Sequence, residues 1–84
     1  MTEEEFNVLD ELYFVTPYAV IHEALGYDHK ILKNILISLW EKGRLRCYDG
    51  IDNELDNRTA DIPNQFDKYH YLASKEGLMA HNTR

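Results

Sequence analysis

Long hydrophobic runs and paired cysteines are both missing from this 84-residue sequence. A membrane-spanning helix needs roughly 20 consecutive apolar residues, and no run approaches that length. The acidic start, Thr2-Glu3-Glu4-Glu5, lacks the basic region of a secretory signal. Cys47 is the single cysteine, so it cannot form an internal disulfide, and we expect it to be a small core residue. These absences predict a cytoplasmic protein that does not act at a membrane.

Positive charge is missing from the first third of the chain. The net charge is −6, and residues 1–27 contain six acids but no Lys or Arg. Residues 29–46 reverse this balance, with five basic side chains against Glu41 alone, and residues 49–67 are acidic again. An anionic partner would therefore have to bind the middle of the chain.

The length and composition bound the architecture. The chain is long enough for one domain, residues 1–84, with a single modest core. The hydrophobic fraction is 44% and the aromatic fraction is 12%, which is typical of a folded chain rather than a disordered one.

Residues 25–46 contain the clearest structural pattern. Asp28 is a suitable N-cap, and Gly43 supplies a left-handed residue, which together predict a helix from Asp28 to Lys42. One helical face is apolar, with Ile35 beside Leu32, Leu36 and Leu39. The opposite face is polar and carries His29, Lys30, Lys33, Asn34 and Ser38. After Gly43, alternation predicts a half-buried strand, with Leu45 and Cys47 inward and Arg44, Arg46 and Tyr48 outward.

Two shorter helices are predicted before this stretch. Thr2 is a cap for a helix that runs to about Tyr13, and Thr16-Pro17 is a typical start for a second helix that ends at Gly26. The second helix is expected to bury Val20, Ile21, Ala24 and Leu25 and to expose Tyr18, His22 and Glu23.

The C-terminal half predicts a loop, a strand and a helix. The segment from Asp49 to Asp67 has little periodicity and many turn residues, which indicates a long acidic loop. Tyr69 to Ala73 alternates again and is predicted to pair antiparallel with residues 44–48. Ser74 is a cap for a short last helix that Gly77 would weaken. The predicted core is Leu9, Leu12, Ile21, Leu25, Leu32, Leu36, Leu39 and Leu45.

This order of elements resembles the winged helix-turn-helix domain of bacterial transcription regulators of the MarR, PadR and ArsR families. The matching positions are Ile21, Leu25 and Gly26 at the turn, the leucines 32, 36 and 39, Lys42-Gly43 before Leu45, and Tyr71-Leu72-Ala73-Ser74-Lys75-Glu76-Gly77, which is similar to Y-x-L-T-x-x-G. The resemblance implies an α+β winged helix: a three-helix bundle, an antiparallel β-wing of two or three strands and a short C-terminal helix. Departures are Ala73 and Ser74 in place of Leu and Thr, and a long acidic wing tip.

The resemblance also implies a function. The helix from Asp28 would lie in the DNA major groove, with the following strand near the phosphates. The DNA-binding residues would be His29, Lys30, Lys33, Asn34, Arg44 and Arg46. The expected function is then transcription regulation by a small DNA-binding protein, acting as a homodimer because one short helix makes few base contacts.

An alternative is a winged-helix module that binds protein and not DNA. The acidic loop would repel DNA, and the resemblance turns Ile31 and Ile37 outward, where an apolar side chain suits a protein partner. Self-association or a protein partner is also expected, because Ile37, Leu72 and the tyrosine-rich ends leave apolar groups that so small a core cannot all cover. For self-association, the first helix offers a second apolar strip through Val8 and Val15.

Enzymatic and metal sites are not expected. The four histidines and Cys47 share no ligand spacing for zinc. The acids of residues 52–61 lack the glycine and the bidentate Glu of a calcium loop. The sequence contains no nucleophile elbow, phosphate-binding glycine loop or paired carboxylates, so neither an enzyme nor a cofactor is predicted.

Overall fold

Helices and antiparallel strands build the computed structural model, which describes residues 1–83. The described residues form five α-helices: α1 (Glu3–Asp10), α2 (Tyr18–Leu25), α3 (His29–Glu41), α4 (Ile62–Gln65) and α5 (Lys75–Asn82). They also form four β-strands: β1 (Thr16–Pro17), β2 (Leu45–Asp49), β3 (Asn53–Leu55) and β4 (His70–Ala73). The predicted α+β class is confirmed.

Helix α3 is the best-predicted element. The Asp28 side chain accepts a hydrogen bond from the Lys30 amide at 2.9 Å, and Gly43 has a φ of +73°, so both predicted helix signals are confirmed. The observed helix is one residue shorter than predicted at each end. The predicted apolar face is fully buried at Leu32, Leu36 and Leu39.

Helix α1 is shorter than predicted, because it ends at Asp10 and not near Tyr13. Thr2 and Glu5 form a reciprocal capping box at its start. After Asp10 the chain leaves the helix, and the Leu12 carbonyl accepts from the Ala73 amide of β4 at 2.9 Å. This hydrogen bond to the sheet explains why the helix ends at Asp10, although the helical spacing of apolar residues continues in the sequence to Tyr13.

Helix α2 differs from its prediction in both start and phase. Thr16 does not cap it, because its hydroxyl donates backward to the Phe14 carbonyl at 2.7 Å and β1 pairs with β4. The helix is rotated so that Tyr18 and Ile21 are buried and Val20 is exposed, contrary to the expected exposure of Tyr18. Ala24, predicted to be buried, is also exposed. The larger Tyr18 ring occupies the core position.

The sheet has the order β1-β4-β2-β3, with antiparallel pairing throughout the described strands. Leu45 lies opposite Ala73 and Cys47 opposite Tyr71, which confirms the predicted strand pairing. Leu45 and Cys47 are buried as expected. Tyr48, predicted to point outward, lies outside the main core cluster but is only 8% exposed, and the Arg46 guanidinium carbon is 5.8 Å from the centre of its ring.

The segment from Asp49 to Asp67 is not the long unstructured wing loop that the sequence predicted. It contains β3, α4 and a 3-10 turn at Phe66–Lys68, so the sheet has four strands and not two or three. Ile62 anchors α4 in the core at 2% exposure. The Tyr71 hydroxyl donates to the Phe66 carbonyl at 2.7 Å. One buried isoleucine and a tyrosine hydroxyl bond thus fix a segment that has little apolar periodicity.

Helix α5 crosses the start of β2 at very short range. Gly77 is buried, and a Cβ built on it would overlap the carbonyl oxygen of Arg44. Ser74 caps the helix through the Gly77 amide and donates its own hydroxyl proton to the Gly43 carbonyl at 2.6 Å. The glycine that we expected to weaken the helix is therefore what allows the helix to dock.

The core lies between helices α1 to α3 and the sheet. Of the predicted core residues, all are buried except Leu25, which is half-buried. Val8 is also fully buried, so the expectation that it forms an outer strip for a second copy of the chain is wrong. None of the helices within residues 1–83 combines the length and apolar character needed to cross a membrane.

Candidate interaction surface around helix α3

The outer face of α3 presents only part of the predicted DNA-binding set. Lys30 and Asn34 are exposed, whereas Lys33 is half-buried with its Nζ 5.8 Å from the centre of the Phe66 ring. Ile31 is 52% exposed, as the protein-binding alternative requires. Ile37 is half-buried against the core, which corrects its predicted outward position.

The start of α3 is occupied by a stack of rings. The imidazoles of His22 and His29 lie face to face, with ring centres 3.9 Å apart and planes 5° apart. The Tyr18 hydroxyl is 2.7 Å from His29 Nδ1, and the Phe66 ring meets Tyr18 edge-on. His29 is therefore held by a neighbour at one ring nitrogen. The helical spacing of Tyr18 and His22 could be predicted from the sequence, but their approach to His29 could not, because it depends on the α2–α3 turn.

The two predicted arginines lie in different environments. Arg44 is half-buried where α5 crosses β2, and it lines a cavity of about 360 Å³ with Met1, Ala80 and Thr83. Arg46 projects from β2 toward β3. Of the six predicted DNA-binding residues, Lys33 and Arg44 are thus half-buried, and the other four, His29, Lys30, Asn34 and Arg46, are exposed.

On the side of α3 that faces α1, a carboxylate is buried. Glu5 is 3% exposed, and its oxygens accept from the Thr2 amide at 3.0 Å, the Ser38 hydroxyl at 3.0 Å and Lys42 Nζ at 2.9 Å. Burial would raise the pKa of the Glu5 carboxyl, but these three donors lower it to about 2. Ile31 and Asn34 line a groove of about 390 Å³ above this contact.

On the other side, the C-terminal end of α3 meets the β2–β3 hairpin in a cleft of about 530 Å³. The chain reverses after α3 because the Arg44 amide bonds the Leu39 carbonyl at 2.9 Å. The hairpin turns at Gly50, whose φ is +83°. We call this region the Trp40 cleft, and its lining is Trp40, Glu41, Gly43, Leu45, Arg46, Glu54, Leu55, Asp56 and Asn57.

The Trp40 cleft has an apolar floor and an acidic rim. Trp40 and Leu55 are half-buried against the core. Arg46 binds Glu54 with two parallel contacts, Nε to Oε2 at 2.9 Å and Nη2 to Oε1 at 2.7 Å. This hydrogen bonding lowers the pKa of the Glu54 carboxyl and raises that of Arg46.

Two further carboxylates in the rim have no cationic partner among residues 1–83. Asp56 accepts from the amides of Arg58 and Thr59 in its own turn, and these bonds, the one from Arg58 first, lower its pKa. Glu41 is exposed at the last turn of α3 and forms no ion pair with another described residue. The cleft therefore carries a net negative charge at neutral pH.

The sequence contained a signal for this cleft that the prediction did not use. Asp49-Gly50 is a common turn dipeptide, and only the three residues 50–52 join β2 to the short strand β3. Recognising this hairpin would have brought Glu54 and Asp56 back beside Arg46 and Trp40.

Two other groups with reactive chemistry are Cys47 and His81. Burial, with Asp49 nearby, raises the pKa of the Cys47 thiol to about 12, which keeps it protonated. His81 joins α5 to α1: its Nδ1 is 3.0 Å from the Tyr13 hydroxyl and its Nε2 is 3.2 Å from Asp10 Oδ1.

Within the described residues, no group of three or more His, Cys, Asp and Glu side chains could hold a metal ion.

Comparisons of the chain with protein-family models, curated proteins and solved structures found no match. Function has therefore to be inferred from the geometry of α3 and the sheet.

Proposed function

We infer that this chain is a winged-helix module that binds a protein partner through α3 and the β2–β3 hairpin. The winged-helix part is supported by the order α1-β1-α2-α3-β2-β4 together with the sheet order β1-β4-β2. Strand β3 and helix α4 are then an insertion between the last two strands of that arrangement. Fold alone does not give the partner, which has to come from the surface.

The observation that carries the proposal is the pairing of Arg46 within the acidic cleft. In a winged helix that binds DNA, basic side chains beside the recognition helix contact phosphates. Here the guanidinium at that position is bound by Glu54, and the neighbouring carboxylates of Glu41 and Asp56 would repel a phosphate. The exposed Ile31 on the same helix favours a protein partner.

A second candidate is DNA binding by a transcription regulator, in which the exposed half of α3 lies in the major groove. Lys30 and Asn34 are exposed there, and the Lys33 ammonium is nearby. Phosphate contacts would make this binding strongly salt-dependent. The candidate requires the α3 residues alone to supply the affinity, because Arg46 is paired and Arg44 lies toward α5.

One pair of titrations separates the candidates. Fluorescence anisotropy with labelled mixed-sequence duplex DNA at low salt is expected to show no saturable binding. Saturable binding that Lys30→Ala and Lys33→Ala weaken would favour the DNA candidate instead.

The protein-binding arm uses peptides selected from a random display library on the wild-type chain. Asn57→Tyr should block the Trp40 cleft with a bulky ring, since Asn57 is exposed and lines it. The matched control is Asn53→Tyr, at an exposed β3 position outside the lining. We expect selected peptides to bind the control and to lose binding to Asn57→Tyr. If no selected peptide loses affinity for Asn57→Tyr or for the α3 variants Lys30→Ala and Lys33→Ala, the proposed function is wrong.

A further inference from the structure

We propose that the Trp40 cleft binds a lysine or arginine side chain of an extended basic segment in the partner protein. This inference rests on the proposed function and names the chemistry of the partner. The occupant is defined by two features of the cleft, its floor and its rim, which suit different parts of the same side chain.

The floor suits the methylene stem. Trp40 and Leu55 provide apolar surface that is half-buried and open to the cleft. Lysine and arginine place their aliphatic stems on such surface while the charged group stays near water. A cation close to an indole ring gains further attraction from the ring's negative face.

The rim suits the charged end. Glu54 is already bound to Arg46, so an incoming cation would meet the carboxylates of Glu41 and Asp56. Asp56 is kept ionised by the backbone amides of Arg58 and Thr59, which bind its Oδ1. A neutral or acidic peptide would leave these two carboxylates facing apolar or negative groups.

Charge complementarity also selects against two other occupants. DNA would bring phosphates to the carboxylate rim. In a symmetric contact, a second copy of this chain, whose net charge is −6, would bring its own acidic hairpin to the same rim. A basic segment from a different protein avoids both conflicts.

The test uses the intrinsic fluorescence of Trp40, which is the only tryptophan in the chain. The probe is a short oligolysine peptide, and the control peptide is oligoglutamine of the same length. We expect oligolysine alone to change the tryptophan emission, with an affinity that falls as salt is added. No spectral change with oligolysine overturns the proposal.

Matched charge variants distinguish the cleft from the general negative charge of the chain. The double variant Glu41→Gln with Asp56→Asn should bind oligolysine about tenfold more weakly, because two carboxylate contacts are lost. The control is Glu23→Gln with Glu76→Gln, which removes the same charge from exposed positions on α2 and α5. Equal weakening in both variants would mean attraction to net charge only and overturns the proposal. A thermal melt of each variant verifies folding.

Two outcomes separate this inference from the proposed function. If display-selected peptides need the open cleft but contain no excess of Lys or Arg, the proposed function stands and this inference is wrong. If sedimentation shows self-association that Asn57→Tyr abolishes, the occupant is a second copy of the chain, and the basic-segment proposal is also wrong.

Discussion

Two ion pairs flank the C-terminal part of α3, and they differ in burial rather than in length. Lys42 Nζ lies 2.9 Å from Glu5 on the α1 side, and Arg46 Nη2 lies 2.7 Å from Glu54 on the hairpin side. The Glu5 side chain is 4% exposed, whereas that of Glu54 is 44% exposed. Water screens the second pair and supplies replacement hydrogen bonds, so only the first should matter for stability. The Lys42–Glu5 pair is therefore structural, whereas the cleft around the Arg46–Glu54 pair is available for binding.

The largest expected effect concerns the core that both sides of α3 share. Leu36→Ala removes a fully buried side chain from the centre of the helix and should lower the free energy of unfolding by roughly 2–5 kcal/mol. Urea denaturation measures this loss. If Leu36→Ala lowers the free energy of unfolding by less than any ion-pair variant does, the leucine face of α3 does not hold the two sides of the helix together.

The next effect concerns the buried carboxylate itself. The pKa of Glu5 is about 2 in the folded chain, against an ordinary value of 4.5 for a glutamate carboxyl. Because the folded value is the lower one, the charge stabilises the fold above the unfolded pKa, and this stability is lost as the pH falls from 4.5 toward 2. The shift corresponds to about 3 kcal/mol at neutral pH.

Glu5→Gln should remove most of that pH dependence. Urea titrations of the wild-type and variant chains between neutral and acidic pH measure it. The two curves should converge near pH 2, separate as the pH rises to 4.5, and stay a constant distance apart above that value. Parallel curves would show that Glu5 is not the group whose ionisation the fold depends on.

A smaller effect is expected at one of the donors. Ser38→Ala removes the hydroxyl that donates to Glu5 Oε2 at 3.0 Å while Thr2 and Lys42 keep their contacts. The expected loss is about 1 kcal/mol. Thermal unfolding of Ser38→Ala beside Ser38→Thr, which retains a hydroxyl, measures it, and an equal loss in both variants would point to packing instead.

The smallest effect should be at the exposed pair. Glu54→Gln is expected to change the free energy of unfolding by less than about 0.5 kcal/mol, because solvent screens both charges. It should nevertheless release Arg46 from its bidentate partner. A loss as large as that in Glu5→Gln would remove the distinction between the two sides of α3.

Parts of the fold that depend on local interactions could be predicted from the sequence, whereas parts that depend on distant contacts could not. The cap at Asp28, the leucine spacing and the left-handed Gly43 act within a few residues, so the limits of α3 could be predicted closely. The rotation of α2 could not, because it depends on Tyr18 reaching His29 and Phe66 across the fold. Helical periodicity alone favoured Val20 for the buried position that Tyr18 occupies, although Val20 has the smaller side chain of the two.

The candidate surface was less predictable than the fold. The polar face of α3 could be predicted from spacing, but its electrostatic environment depends on partners that are distant in the sequence. Glu5 is 37 residues from Lys42, and no local pattern indicates that contact. Arg46 and Glu54 are only 8 residues apart in the sequence, but a predicted loop from Asp49 to Asp67 contains no hairpin that would bring the two side chains together.

The docking of α5 has a consequence for how the chain folds and opens. Ser74 reaches the Gly43 carbonyl across 31 residues, and its amide bonds the Arg44 carbonyl, so α5 acquires its cap only after the end of α3 and the start of β2 exist. The last helix should therefore form late, and its first-turn amides should be shielded by contacts that belong to the rest of the molecule. Hydrogen exchange at the Gly77 amide would then report opening of the whole fold rather than fraying of the C-terminal helix.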